Sequence, residues 1–115
     1  MRFESRFSVS NPELSALHAG AFGNPAHANI DWARRLNQHA LTWIGAFDTD
    51  KLVGFIQVCW DGGSHAFLLD TVVDPGWQHR GIGTALVRQA TVEAKAAGCD
   101  WLHVDCEDDV AERFF

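Results

Sequence analysis

Tyrosine is absent from this chain of 115 residues, so no phenol is available as a proton donor. Long hydrophobic runs are missing as well. No apolar stretch approaches the roughly 20 residues of a membrane span, and Met1-Arg2-Phe3-Glu4 does not begin a signal peptide. Positive charge is scarce: nine lysines and arginines face fifteen aspartates and glutamates, a formal net charge of −6. That balance argues against nucleic acid as a bulk partner and favours a cationic one. Cysteine is sparse, odd in number and irregularly spaced, at Cys59, Cys99 and Cys106. Without an export signal, these read as reduced thiols of a cytoplasmic protein. Cys99, His103 and Cys106 invite a metal reading, but a strand here puts positions 103 and 106 on opposite faces, so no metal is expected.

What is present is enough for one domain over residues 1–115. Hydrophobic residues make up 47% of the chain, which supports a single packed core rather than disorder. Phe3, Ser5 and Phe7 alternate with polar residues, predicting a first strand with one buried face. Asn11-Pro12-Glu13 reads as an N-cap followed by proline at the first helical position. Leu14, Leu17, His18 and Ala21 follow at helical spacing, and Gly23-Asn24-Pro25 ends that helix. Residues 30–38 read as a second helix, with Ile30, Ala33 and Leu36 or Asn37 on one side. Strands at 41–47 and 52–60 form a hairpin around Asp48-Thr49-Asp50-Lys51. Asp61-Gly62-Gly63-Ser64 turns the chain into a strand at 66–73. The helix after that strand is predicted to bury Ile82, Leu86, Ala90 and Ala97, to expose Arg88, Thr91 and Lys95, and to stop at Gly98.

The most informative stretch is Val72-Val73-Asp74-Pro75-Gly76-Trp77-Gln78-His79-Arg80-Gly81-Ile82-Gly83-Thr84. An apolar strand, a turn and a glycine-spaced segment run straight into a helix. Glycines there let the backbone approach a ligand, because neither carries a Cβ. The first helical amides lack intrahelical partners, and the helix dipole adds partial positive charge. His79 and Arg80 supply further donors, which suits a phosphate or pyrophosphate. A P-loop would need Gly-Lys-Ser/Thr, which does not occur; a Rossmann fingerprint needs a small residue where Leu86 stands.

Gln78-His79-Arg80-Gly81-Ile82-Gly83 resembles the Gln/Arg-x-x-Gly-x-Gly/Ala motif of the GNAT N-acetyltransferase superfamily. Residues 101–106 resemble the fifth strand of that family, and Ala111-Glu112-Arg113-Phe114-Phe115 the start of its last helix. The resemblance implies a mixed α/β (α+β) fold with a mostly antiparallel twisted sheet flanked by helices, in the order β-α-α-β-β-β-α-β-α. It implies acetyl-CoA as cosubstrate. Gln78, His79, Arg80, Gly81, Ile82, Gly83 and Thr84 would bind its pyrophosphate, and backbone groups of Val72 and Val73 its pantetheine arm, like an added strand.

The implied activity is transfer of the acetyl group to a small-molecule or peptide amine by direct attack. Asp70 and Asp105 are the candidate bases, with His103 as a third. Asp70 lies in an apolar run, where a partly buried carboxylate tends toward a raised pKa. A tyrosine in the phrase Ala-x-x-Phe-Tyr often protonates the leaving thiolate in this family; Phe115 stands at that position. Trp32, Arg34, Arg35, Trp43 and Trp60 lie in the half that shapes the acceptor site in relatives, although core packing for the tryptophans and a solvated face for the arginines are the favoured readings. Relatives continue into two further strands, so the chain is expected to be C-terminally truncated. An uncovered fifth strand then predicts a homodimer that buries Trp101, Phe114 and Phe115. The alternative function is a coenzyme A-binding or regulatory module without useful turnover.

Overall fold

Asp48 and Lys51 face each other across a two-residue turn, with Thr49 in left-handed conformation at φ 55°. This turn joins β2 (Ala40–Asp48) to β3 (Lys51–Trp60), the central hairpin of the sheet. The computed structural model describes residues 1–22 and 30–104. The helix stop at Gly23-Asn24-Pro25, Asp105, Cys106 and the last helix, with Phe114 and Phe115, lie outside the described residues. The remaining elements are β1 (Arg2–Ser5), α1 (Asn11–Phe22), α2 (Trp32–His39), β4 (His65–Val73), a 3-10 turn (Pro75–Trp77), α3 (Ile82–Ala96) and β5 (Trp101–Val104).

The five strands lie in sequential order β1-β2-β3-β4-β5. All neighbours are antiparallel except β4 and β5, which run parallel and so need the α3 crossover. Each face of the sheet carries its own core. On one, Ile82, Leu86, Ala90 and Ala94 of α3 pack on Ile44, Ile56, Val58, Ala66 and Val73. On the other, Leu14 and Leu17 of α1 join Trp32 and Leu36 of α2 over Trp43, Phe47, Phe55 and Val72. Polar bonds pin α3 to the far strands: the Glu93 carboxylate accepts from Ser5 Oγ at 2.6 Å and Thr42 Oγ1 at 2.8 Å. Among the described residues no helix is long and apolar enough to cross a membrane.

The mixed architecture expected from sequence is present, with local corrections. β1 ends at Ser5 because Arg6 turns left-handed at φ 52°. Arg6 donates its N–H to Trp43 O at 2.7 Å and its guanidinium to Leu41 O at 2.6 Å. Phe7 therefore reaches the core through a kink, not by strand alternation. Ser10, not Asn11, caps α1, since Leu14 N–H bonds Ser10 O at 3.0 Å and Glu13 N–H approaches Ser10 Oγ at 3.4 Å. The Asn11 side chain instead joins the two helices, donating to Asp31 Oδ1 at 3.1 Å and accepting from Ala33 N–H at 2.9 Å. Asp31 caps α2, which moves its start past Ile30 and buries Trp32 and Leu36, one turn apart. In α3 the buried stripe ends at Ala94, one turn after Ala90, while Ala97 is exposed at the C-cap. Gly98, at φ 95°, stops the helix as expected: its N–H bonds Lys95 O at 3.0 Å, and Cys99 N–H bonds Ala94 O at 3.1 Å.

Candidate active site

The site begins where β4 and β5 part. Their parallel pairing covers four residue pairs, from His65↔Trp101 to Leu68↔Val104. Over residues 69–73, β4 has β3 on one side and, among the described residues, no strand on the other. At the same place β4 bulges against β3. Phe55 pairs with Val72 and Gln57 with Leu69, so Asp70 and Thr71 together face Ile56. A bulge bends a strand and re-aims its side chains. Asp70 makes the bend in left-handed conformation, at φ 53°, which aspartate tolerates better than most residues.

The bend turns the Asp70 carboxylate toward α1 and β3. His18 Nε2 lies 3.0 Å from Oδ1, and the Gln57 amide donates to Oδ2. Both carboxylate and imidazole are largely shielded, at 28% and 17% side-chain exposure. Burial pushes the Asp70 pKa up, but the His18 hydrogen bond and charge, the Gln57 hydrogen bond and the Arg35 charge outweigh it and hold the carboxyl below its ordinary value. This corrects the sequence expectation of a raised pKa: the apolar run supplies the desolvation, and partners far away in sequence overcome it. Cys59, two residues from Gln57, donates its thiol to Gln57 Oε1 at 3.4 Å. Its pKa is raised, first by burial and then by the Asp70 charge.

Beyond Val73, Asp74 is the turn residue that its sequence context indicated. It bonds Val53 O through its N–H at 2.8 Å, and its Oδ1 accepts from Gly76 N–H at 2.9 Å. The Gln78 amide folds back to donate to Val73 O at 3.2 Å, so this motif residue braces the turn against the strand end. His79 and Gly81 are both left-handed, at φ 64° and 82°. Between them Arg80 is exposed, with its guanidinium 4.8 Å from the Trp77 ring centroid. The first intrahelical bond of α3 runs from Ala85 N–H to Gly81 O at 3.0 Å. The Ile82 and Gly83 amides precede it, and no acidic residue occupies the first turn to cancel the positive end of the helix dipole. Ile82 and Gly83 are buried and Thr84 is half-buried. A Cβ at Gly81 would meet nothing within 4 Å, so the backbone there stands open to an approaching group.

Val72 and Val73, whose side chains are buried in the core, end the stretch of β4 that is unpaired on one edge among the described residues. The Gln78–Thr84 segment leads from there into α3, and Asp70 lies two residues before Val72 on the same strand. The third candidate base goes elsewhere: His103 Nε2 lies 2.9 Å from His65 Nδ1, and its ring stacks on Phe67. Among the tryptophans, Trp32 and Trp43 are core residues whose indole N–H groups bond Ser15 Oγ and Phe7 O, each at 3.0 Å. Arg35 stacks over Trp32 at 5.1 Å, and Trp60 is partly exposed. Reasoning from sequence missed His18 and Gln57. Both sit at spacings that fit an element face, and neither carries a local sign of its partner.

The profile of the acetyltransferase (GNAT) family matches residues 11–115. The chain belongs to the GNAT acetyltransferase family. Solved GNAT structures share its fold. An aminoglycoside acetyltransferase from an uncultured soil metagenomic sample, crystallised with trehalose, superposes with a TM-score of 0.82 at 23% identity, over 98% of this chain and 83% of that one. A GNAT family acetyltransferase from Brucella melitensis in complex with acetyl-CoA gives 0.73 at 19%, over 98% and 81%. A probable acetyltransferase from Staphylococcus aureus gives 0.75 at 19%, over 98% and 88%. No curated protein matches the sequence significantly. Membership of this GNAT family supports acyl transfer as the general chemistry of the chain.

Proposed function

We propose that the protein transfers the acetyl group of acetyl-CoA to the amine of a small-molecule or peptide acceptor. One observation carries the reading: the open edge of β4 joins the N-terminus of α3 to the bulge that presents Asp70. The pyrophosphate would sit on the amides at Gly81, Ile82 and Gly83 with His79, Arg80 and Thr84 around it. Gln78 would hold the turn. The pantetheine arm would run along Val72 and Val73, which brings the thioester toward Asp70.

In this scheme the amine lone pair attacks the thioester carbon, the tetrahedral adduct collapses, and the carbon–sulfur bond breaks to release the thiolate of coenzyme A. The nitrogen must lose a proton along the way. The acceptor's ammonium first loses one proton to solvent, and the neutral amine attacks. The nitrogen of the tetrahedral adduct then carries a positive charge and is strongly acidic, so even a carboxylate of depressed pKa can take its proton. Asp70 is the proposed acceptor, and Asp105 is the second candidate. With no tyrosine in the chain, the thiolate leaves without a phenolic donor.

A cationic acceptor agrees with the net charge of −6. An aminoglycoside acetyltransferase of the same fold, at 20% identity, has been crystallised with sisomicin, which makes polycationic amines the first class to assay. The reading places the protein in the cytoplasm as a homodimer. Trp101 is 62% exposed on β5, and the outer edge of that strand pairs with nothing among the described residues. Light scattering at high concentration tests the dimer.

The decisive test combines calorimetry with thiol release. Acetyl-CoA should bind the wild type and fail to bind Gly83→Val, and thiol should be released with at least one amine of a panel that includes sisomicin. Equal affinity in Gly83→Val would refute the site. Binding without thiol release from any amine would favour the coenzyme A-binding module instead.

A further inference from the structure

Asp70 is held from three sides, and the holding groups come from three different elements. His18 on α1 meets Oδ1 at 3.0 Å, Gln57 on β3 meets Oδ2, and the left-handed backbone of Asp70 on β4 fixes where the carboxylate points. His18 is itself set by its neighbours. Its ring lies 5.1 Å from that of Trp32, which is 1% exposed and anchored to Ser15 Oγ. We infer that His18 is a positioning residue of the transfer reaction, acting through Asp70: its Nε2–H, with the Gln57 amide, keeps the carboxylate ionised and turned so that its remaining lone pairs receive the proton of the acceptor nitrogen as the adduct forms.

The inference rests on Asp70 as the proton acceptor. An ionised carboxylate offers about four acceptor sites, and one donor on each oxygen leaves a second site on each. A nitrogen 3.0 Å from a carboxylate oxygen must bring the proton, and both the Nε2–H tautomer and the imidazolium do so. Among the described residues, the charged and titratable groups around Asp70 are His18 from α1, Arg35 from α2 and the Cys59 thiol from β3. Burial alone would protonate this carboxyl more readily; His18 opposes that both as a donor and as a charge, and Gln57 and Arg35 add to it. A purely structural histidine packed on Trp32 would leave the protonation of Asp70 untouched, which makes the role testable.

The test follows the side-chain carboxyl resonances by carbon NMR across acid pH, with the Asp70 signal assigned by its loss in Asp70→Asn. In the wild type the Asp70 midpoint should lie below the ordinary carboxylate range. In His18→Leu it should rise, as expected when an opposite charge and a donor are removed. His18→Gln, which keeps a donor but no charge, should raise it less, and Gln57→Leu should raise it independently. With acetyl-CoA and an amine from the panel, the acidic limb of the kcat/KM profile should shift upward by the same amount, while KM for acetyl-CoA stays constant. A midpoint that stays in place in both His18→Leu and His18→Gln overturns the inference. A midpoint that moves while the acidic limb does not overturns Asp70 as proton acceptor, and with it the role of His18 in the reaction.

Discussion

Gly54 on β3 and Ile82 at the start of α3 touch so closely that a Cβ at position 54 would lie 3.0 Å from Ile82 Cγ2. It would also meet Ala46 Cβ and Leu86 Cδ1, each at 3.2 Å. The missing side chain therefore sets how near the first turn of α3 comes to the sheet, and so where its amides stand relative to the end of β4. Gly54→Val should cost about 1–3 kcal/mol of stability through overpacking. It should also weaken acetyl-CoA binding by displacing that turn. Denaturant unfolding and calorimetry read the two effects; normal values in both would show that the close contact positions nothing.

Gly81 is needed for a different reason. Its φ of 82° is left-handed, yet the space around its absent Cβ is empty. Gly81→Ala should therefore cost only the conformational penalty, about 1–2 kcal/mol. Gly81→Asn should recover part of it, because asparagine visits this region readily. Equal stability losses for alanine and asparagine would contradict the conformational account.

Acid should unfold the protein partly through Asp70. Its folded pKa is depressed below the unfolded value, so its contribution is fully present above the ordinary aspartate pKa near ~4. It is lost as pH falls through the lower, folded value. From about pH 5 to about pH 3, the free energy of unfolding should fall more steeply in the wild type than in Asp70→Asn. Asparagine keeps the left-handed backbone accessible, so the comparison isolates the charge. Parallel curves for the two proteins would remove Asp70 from the acid transition.

Cys59 should be a sluggish nucleophile. Burial and the Asp70 charge both disfavour its thiolate, the species that reacts. Alkylation by iodoacetamide at about pH 8 should be slower than for a free thiol. Asp70→Asn should accelerate it by removing the second of the two causes. A rate that is unchanged or slower in Asp70→Asn would contradict the electrostatic coupling between the two residues.

Local backbone physics explains why some parts of this molecule could be read from sequence. Gly81 and Gly98 are left-handed as their positions at helix ends require, and Asp74 organises its own turn within three residues. The hairpin at Asp48 to Lys51 is equally local. What escaped reading depends on pairing across distance. The Asp70 bulge exists only in the register of β4 against β3: it moves the buried face from Ala66 and Leu68 to Val73, and the apolar residues on both sides of Asp70 hide that shift in the sequence. His18 looked like a continuation of the Leu14 and Leu17 face, because its partner lies 52 residues away. For the same reason the sequence points to the wrong direction for the Asp70 pKa: burial is visible in an apolar run, but compensating partners are not. Ala97 keeps the helical phase of Ala90 but stands at the C-cap, past the end of α3, so the buried stripe stops at Ala94.

The parting of β4 from β5 has a thermodynamic side. A sheet whose fourth strand is bonded on one edge only over residues 69–73, among the described residues, lacks part of its own cohesion until something lies along the other edge. A ligand bridging residues 69–73 and the head of α3 would tie the α3–β5 arm to the rest of the sheet. Its binding free energy would then appear as resistance to melting, by about 2.7 kcal/mol at a hundredfold excess over Kd. The fold would thus report its own occupancy, and a melting curve recorded against acyl-CoA thioesters of increasing chain length would rank donors before any acceptor is known.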